Sequence, residues 1–367
     1  MKKLYLVTWT LFISLTACKV GRYVVYNFAD INDHKKFPYR TLAASKVPFK
    51  FRTITENKSL AFLTNKAGDK VFFDEYLEKN KTVAFLVIRN DTILYENYFS
   101  GYDKGSIVPS FSMAKFFTSI LIGSAIEDGL IESINAPITK YIPSMQKNGF
   151  DKVTILHLLQ MTSGIRFNEG YFNPFGKVAT FYYGTKLRRA TERLKLKAVP
   201  GEAFAYKSGN TQLLGHILDK VLEDKTITDY FYEKIWHPLN MEFDGSWSLD
   251  SKKNGIEKTF CCVNARARDF AKIGRLFLHN GNWEGQQLVS EDWVKASTKV
   301  DTTAGSAKYY QYQWWLPSEE GDFLANGILG QYIYVYPKKN LIFVRLGKNK
   351  GDVKWWSFLR FLAKEVY

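Results

Sequence analysis

Cysteine and histidine are scarce in this chain of 367 residues, and long apolar runs are missing. Three Cys are too few for a disulfide-built scaffold or a multi-cysteine zinc cluster. The 5 His, at positions 34, 157, 216, 237 and 279, form no His-Glu-x-x-His pair, which excludes zincin chemistry. No Gly-x-Ser-x-Gly occurs, so the α/β-hydrolase route to an activated serine lacks its elbow. Internal repeats and low-complexity tracts are absent as well.

What is present is a globular composition. The chain is 46% hydrophobic, 16% aromatic and 24% charged, enough for one large core or two intimate subdomains. Its net charge is +15. Such an excess suits either nucleic acid or the anionic lipid and glycan of a cell envelope. The cations are scattered and no nucleic-acid module accompanies them, so no nucleic-acid partner is expected. The densest stretch, Lys186-Leu-Arg-Arg-Ala-Thr-Glu-Arg-Leu-Lys-Leu-Lys197, alternates like a helix face or a sheet edge.

Residues 1–17 have the form of a signal peptide. Met1-Lys-Lys3 is followed by an apolar stretch of about fourteen residues, too short to span a bilayer comfortably. The stretch ends Leu15-Thr16-Ala17-Cys18, which resembles the lipobox of bacterial lipoproteins. The resemblance implies cleavage before Cys18 and acyl chains on that residue, hence an anchor in the cell envelope. Lys19 stands where an inner-membrane retention signal would carry Asp, which points to the outer membrane, facing the periplasm or the exterior. An ordinary signal peptide with an incidental Cys is the plainer alternative. Cys261 and Cys262 are read as two small buried hydrophobes, because adjacent cysteines rarely close a bridge.

Residues 18–80 read as an N-terminal extension, interrupted by Pro38 and Pro48, that packs partly on a domain of residues 81–367. The β-branched and apolar runs 82–88 and 92–99 predict a hairpin around Arg89-Asn-Asp91. From Ser110 the period becomes that of a helix buried on most sides and ending near Gly129. Residues 130–245 are mostly helical, with candidates at 154–161, 211–222 and 228–236; another helix covers 266–279. Residues 310–316, 323–326, 331–336 and 340–346 return to strands, and 352–367 closes the chain as an amphipathic helix. The pattern predicts an α+β fold: an antiparallel sheet drawn from both chain ends and flanked by helices, a mostly helical second lobe, and a site at their seam.

Two Ser-x-x-Lys tetrads occur, Ser112-Met-Ala-Lys115 and Ser144-Met-Gln-Lys147. The second lies in polar loop sequence between Pro143 and Asn148-Gly149, which cannot hold its two side chains in register. The first opens the most apolar helix, where a spacing of three puts Lys115 on the face of Ser112. The free N–H groups of a helix start can hold an oxyanion. A serine hydroxyl needs a base, and a lysine buried against Phe116 and Phe117 could lose its proton and serve as one. Alone, the tetrad also fits a helix-start Ser beside a snorkelling Lys. His157 reads as a packing or hydrogen-bonding residue rather than a triad member.

Farther along, Pro200-Gly-Glu-Ala-Phe-Ala-Tyr-Lys-Ser-Gly-Asn210 places Tyr206 where a turn meets a helix. A phenol there can share a proton with a nearby amine, or it can be a core Tyr with its hydroxyl satisfied. At this point the sequence resembles the serine β-lactamase-like superfamily of class C β-lactamases, D-Ala-D-Ala peptidases and related esterases and amidases. The resemblance covers about residues 80–350. It is carried by the tetrad, by Thr154-Ile-Leu-His-Leu-Leu-Gln-Met-Thr-Ser-Gly164 and by Arg268-Asp-Phe-Ala-Lys-Ile-Gly274. Gly327-Ile-Leu-Gly-Gln-Tyr-Ile-Tyr-Val335 and Asn168-Glu-Gly-Tyr171 are similar to the branch of 6-aminohexanoate-dimer hydrolase and its esterase relatives.

The resemblance implies a β-lactamase/transpeptidase-like fold and an acyl-enzyme hydrolase that needs no cofactor or metal. It makes Ser112 the nucleophile, Lys115 its base partner and Tyr206 the Tyr of the family's Tyr-x-Asn motif. It also makes Tyr171 a contact of the substrate amide. Two positions depart from the pattern. Ser208 replaces the motif's Asn, and the third motif falls on Ala325-Asn326-Gly327 without its basic residue. That loss argues for an uncharged ester or amide substrate, with Gly327 admitting close backbone approach and the Ile328 N–H as second oxyanion donor. The alternatives are a D-Ala-D-Ala peptidase or β-lactamase, or a non-catalytic binding protein that keeps the fold.

Overall fold

An eight-stranded sheet forms the backbone of the computed structural model, which describes residues 19–26, 28–54, 62–64 and 70–367. The leader 1–17 and Cys18 lie outside the described residues. The hairpin of strands Thr82–Arg89 and Thr92–Tyr98 pairs antiparallel with the C-terminal strand Leu341–Gly347, through Ile342 opposite Ile88 and Val344 opposite Leu86. Both chain ends thus build one sheet, as the strand pattern predicts. Beyond Leu341–Gly347 lie Gln331–Tyr336, Phe323–Gly327 and two short strands. At the other edge Arg52–Thr53 pairs parallel to Thr92–Tyr98.

The Thr82–Arg89 run is continuously apolar because both of its faces are covered. Leu86 and Ile88 face the main core, while Phe85 and Val87 face the core under helices Phe73–Lys79 and Trp355–Phe361. Helix Ala267–Leu278 crosses the main-core face. A Cβ on its Gly274 would come within 2.9 Å of Ile342, so the glycine sets the spacing of helix and sheet. Asp269 in the same helix accepts from the backbone N–H groups of Glu242 and Phe243. A second, four-stranded sheet joins Tyr39–Leu42, Gly245–Ser248, Val263–Ala265 and Val108–Pro109. Residues of the N-terminal extension therefore pair into both sheets.

Three elements differ from their sequence reading. Residues 310–316 form two strands, Tyr310–Gln311 and Trp314–Trp315, joined by Tyr312 (φ 39°) and Gln313 (φ 74°). The turn is held because Gln313 Nε2 donates to the carbonyls of Leu158 and Leu159, while its Oε1 accepts from Thr211. Helix Ser208–Val221 begins three residues earlier than predicted. Residues 143–148 are a short exposed 3-10 helix, not a loop, and Ser144 and Lys147 face solvent on it.

Candidate active site

Ser112 is delivered by the junction of the two sheets. Pro109 pairs with Asn264 and the Ser110 N–H donates to the Val263 carbonyl at 2.7 Å. Phe111 follows in the left-handed region (φ 45°), a conformation that costs about 1 kcal/mol or more and persists only under tight packing. A 3-10 turn, Phe111–Met113, then sets Ser112 at the foot of helix Ala114–Glu127. Burying Phe116 and Phe117 in that helix contributes about 1.5–3 kcal/mol each.

Lys115, one turn on, is 1% exposed. Its Nζ donates to Ser112 Oγ at 2.9 Å and to the Phe260 carbonyl at 2.8 Å. Burial lowers its pKa to about 8, against the opposing pull of the Glu169 charge. A substantial fraction of the amine is therefore neutral near physiological pH, as a base for a serine requires.

Tyr206 arrives from the turn before helix Ser208–Val221. Its ring stacks on Trp315 at 5.4 Å and meets Tyr310 edge-on at 6.0 Å. The hydroxyl lies near enough to Ser112 for the serine to favour its ionised form, an effect smaller than that of burial, and Lys115 Nζ lies 5.2 Å from the ring centroid. Burial holds the phenol well above its ordinary pKa, so it is a proton donor at neutral pH. The three side chains named in the sequence thus meet around one oxygen.

Ser112 sits where two cavities join. One, of about 360 Å³, is walled by Phe111, Tyr182, Tyr183, Phe260 and Leu329. The other, of about 470 Å³, is lined by Tyr206, Asn326, Gly327, Asn349 and Lys350. Tyr171 and Ile328 border both, and Ser208 borders the first. Gly327 packs its α-carbon against the Ser110 carbonyl, a space that a Cβ would fill. That approach keeps the end of strand Phe323–Gly327, and with it Ile328, beside the nucleophile turn.

Several participants were not named from the sequence. Glu169 accepts from the Ser208 N–H at 2.9 Å and from Ser208 Oγ at 2.5 Å, and Tyr171 donates to it at 3.4 Å. Its signal was its place in Asn168-Glu-Gly-Tyr171. Lys350 brings a cation to the second cavity from outside the third motif. Cys261 and Cys262, expected as separate small hydrophobes, are instead joined by a disulfide, and Cys261 lines the first cavity. The adjacency that argued against a bridge is accommodated by Cys262 at positive φ (79°). His157 caps a helix: its N–H donates to Thr154 Oγ1 and its Nδ1 accepts from the Thr154 N–H.

Residues 72–354 match the Beta-lactamase family. The 6-aminohexanoate-dimer hydrolase of Paenarthrobacter ureafaciens is 27% identical over 297 residues, 75% of this chain and 75% of its own. A Bacillus anthracis structure described as a 6-aminohexanoate-dimer hydrolase superposes with a TM-score of 0.79, at 24% identity over 93% of both chains. A penicillin binding protein from Bacillus halodurans gives a TM-score of 0.61 at 16% identity, over 79% of this chain and 98% of its own. The two structural likenesses bear on the fold, and the β-lactamase/transpeptidase-like architecture expected of the sequence is the one observed.

Proposed function

The chain belongs to the Beta-lactamase family and is a serine hydrolase of that superfamily, and from this premise we propose that it cleaves an ester or amide through an acyl-enzyme on Ser112. Ser112 Oγ attacks the carbonyl carbon as neutral Lys115 takes its proton. The backbone N–H groups of Ser112 and Ile328 hold the oxyanion. Tyr206 protonates the leaving group as the carbonyl re-forms and is reprotonated from Lys115. Water then releases the acid by the reverse proton path.

One observation carries this reading: the Lys115 amine, buried and with its pKa lowered to about 8, is 2.9 Å from Ser112 Oγ. The aromatic walls of the first cavity favour an uncharged, linear apolar arm, and the name of the Paenarthrobacter relative supports a linear amide. Peptidase or β-lactamase action is the second reading, favoured by Lys350, whose charge suits a substrate carboxylate. A fluorophosphonate probe, read by intact mass with Ser112→Ala as control, tests the acyl-enzyme; an unmodified Ser112 in folded protein overturns it. Turnover of p-nitrophenyl esters and linear amides, set against acylation by a penicillin, separates the two substrate readings. The lipobox supports an anchor at Cys18 in the cell envelope, checked by metabolic labelling with a fatty acid and loss of label in Cys18→Ser.

A further inference from the structure

We infer that the face carrying Phe28, Phe172 and Phe175, with the basic cleft beside it, is a docking surface for an anionic phospholipid bilayer. The three rings are 49%, 78% and 74% exposed, and Val24 on helix Lys19–Tyr26 is 68% exposed. Phe28 and Phe172 meet edge to face with centroids 5.3 Å apart. Apolar groups of this size rarely stand together in water without a partner.

Phe175 also lines a cleft of about 670 Å³ whose walls carry Lys19, Lys177, Lys186, Arg189 and Arg193 and no carboxylate. The last three come from the densest basic stretch of the sequence. Other charges of that stretch are engaged: Arg188 pairs with Asp219 at 2.5 Å and Glu192 with His216 at 2.8 Å. Among the described residues the five cleft cations form no ion pair; Lys19 Nζ donates to Thr180 Oγ1 at 2.8 Å.

An anionic bilayer offers both things this face lacks, phosphates for the cations and an apolar boundary for the rings. A second copy of the chain would set the same cations against themselves. The leader carries Lys2 and Lys3 and no acid, so its charge does not complement the cleft. A soluble polyanion would leave the rings in water. Docking turns the mouth of the apolar cavity, which Phe28 and Phe172 border, toward the lipid. The inference rests on this surface alone and stands or falls separately from the acyl-enzyme chemistry.

The test uses the full chain with Cys18→Ser, so that no acyl chain contributes, and an environment-sensitive fluorophore on Phe175→Cys. A twin carries the fluorophore on Lys338→Cys, in the turn at the far end of strand Gln331–Tyr336 from the site. Phosphatidylcholine vesicles containing one-third phosphatidylglycerol are expected to blue-shift the emission at position 175 and raise it about threefold. Salt at about 0.5 M is expected to reverse the change. Lys177→Glu, Arg189→Glu and Arg193→Glu together are expected to weaken binding about tenfold or more, with melting temperature as the check on folding. Silence at position 175, an equal response to pure phosphatidylcholine, or an equal response at position 338 overturns the inference. So does a response that follows protein concentration without lipid, which would mean self-association, or one that heparin reproduces, which would mean a soluble polyanion.

Discussion

Lys115 Nζ and Ser112 Oγ lie 2.9 Å apart; the lysine is 1% exposed, and its other hydrogen-bond partner is the Phe260 carbonyl. The amine is thus dedicated to one hydroxyl. Lys115→Ala is expected to slow acylation about a thousandfold or more, since both the base and the proton store are gone. Lys115→Arg is not expected to rescue it, because guanidinium keeps its proton. Stopped-flow release of p-nitrophenol measures both.

The pH dependence follows from the same lysine. Burial lowers its pKa to about 8, and the reactive form is the neutral amine. Acylation is therefore expected to fall about tenfold per pH unit below that value and to level off above it. A kcat/KM profile that is flat between pH 6 and pH 9, values about two units below and one above the amine's, would contradict the assignment.

Glu169 supplies a second handle on that profile. Its negative charge raises the Lys115 pKa, opposing the larger effect of burial. Glu169→Gln removes the charge, so the Lys115 pKa goes down and the rising limb of the profile moves to lower pH. Loss of activity with no such movement would mean that Glu169 acts only by holding Ser208.

Tyr206→Phe keeps the stack on Trp315 and removes the proton donor. About a hundredfold or greater loss in kcat is expected, with KM little changed, in the range typical for removing a general acid. An activated ester, whose leaving group needs no proton, is expected to suffer less than an amide. Comparing the two substrates in the variant reads the role directly.

The parts of this site that were legible in the sequence are those joined by short spacing. Ser112 and Lys115 share a helix face, and the apolar run after them marks burial. The Thr82–Arg89 strand shows itself because both its faces are covered. What was hidden depends on contacts between distant segments. Ser208 and Glu169 are 39 positions apart, and nothing local to either announces the pair. Lys350 reaches the cavity from the loop after Leu341–Gly347, and strands as short as Arg52–Thr53 carry no periodicity to read. The left-handed pair Tyr312 and Gln313 broke a run that alternates like a strand, because buried hydrogen bonds of Gln313 outweighed the local pattern.

The Cys261–Cys262 bridge adjoins the residue whose carbonyl holds Lys115. Both bridged residues are pinned to the smaller sheet: the Cys261 carbonyl accepts from Trp247 Nε1 at 3.2 Å and the Cys262 carbonyl from the Ser248 N–H at 3.0 Å. Opening the bridge leaves those bonds in place but removes a constraint on Cys261, the residue directly after Phe260, so the effect should fall on the position of the Phe260 carbonyl and not on the fold. A phosphine and water convert the disulfide to two thiols and a phosphine oxide, which makes the reduction clean. Reduced protein is expected to acylate several-fold, about threefold to tenfold, more slowly at a nearly unchanged melting temperature, as for a catalytic group that has lost its orientation. The double variant Cys261→Ser, Cys262→Ser is expected to show the same rate and no response to phosphine. Equal rates for oxidised and reduced protein would mean that the bridge does nothing for Lys115, whereas a phosphine effect that persists in the double variant would place the sensitivity elsewhere in the chain.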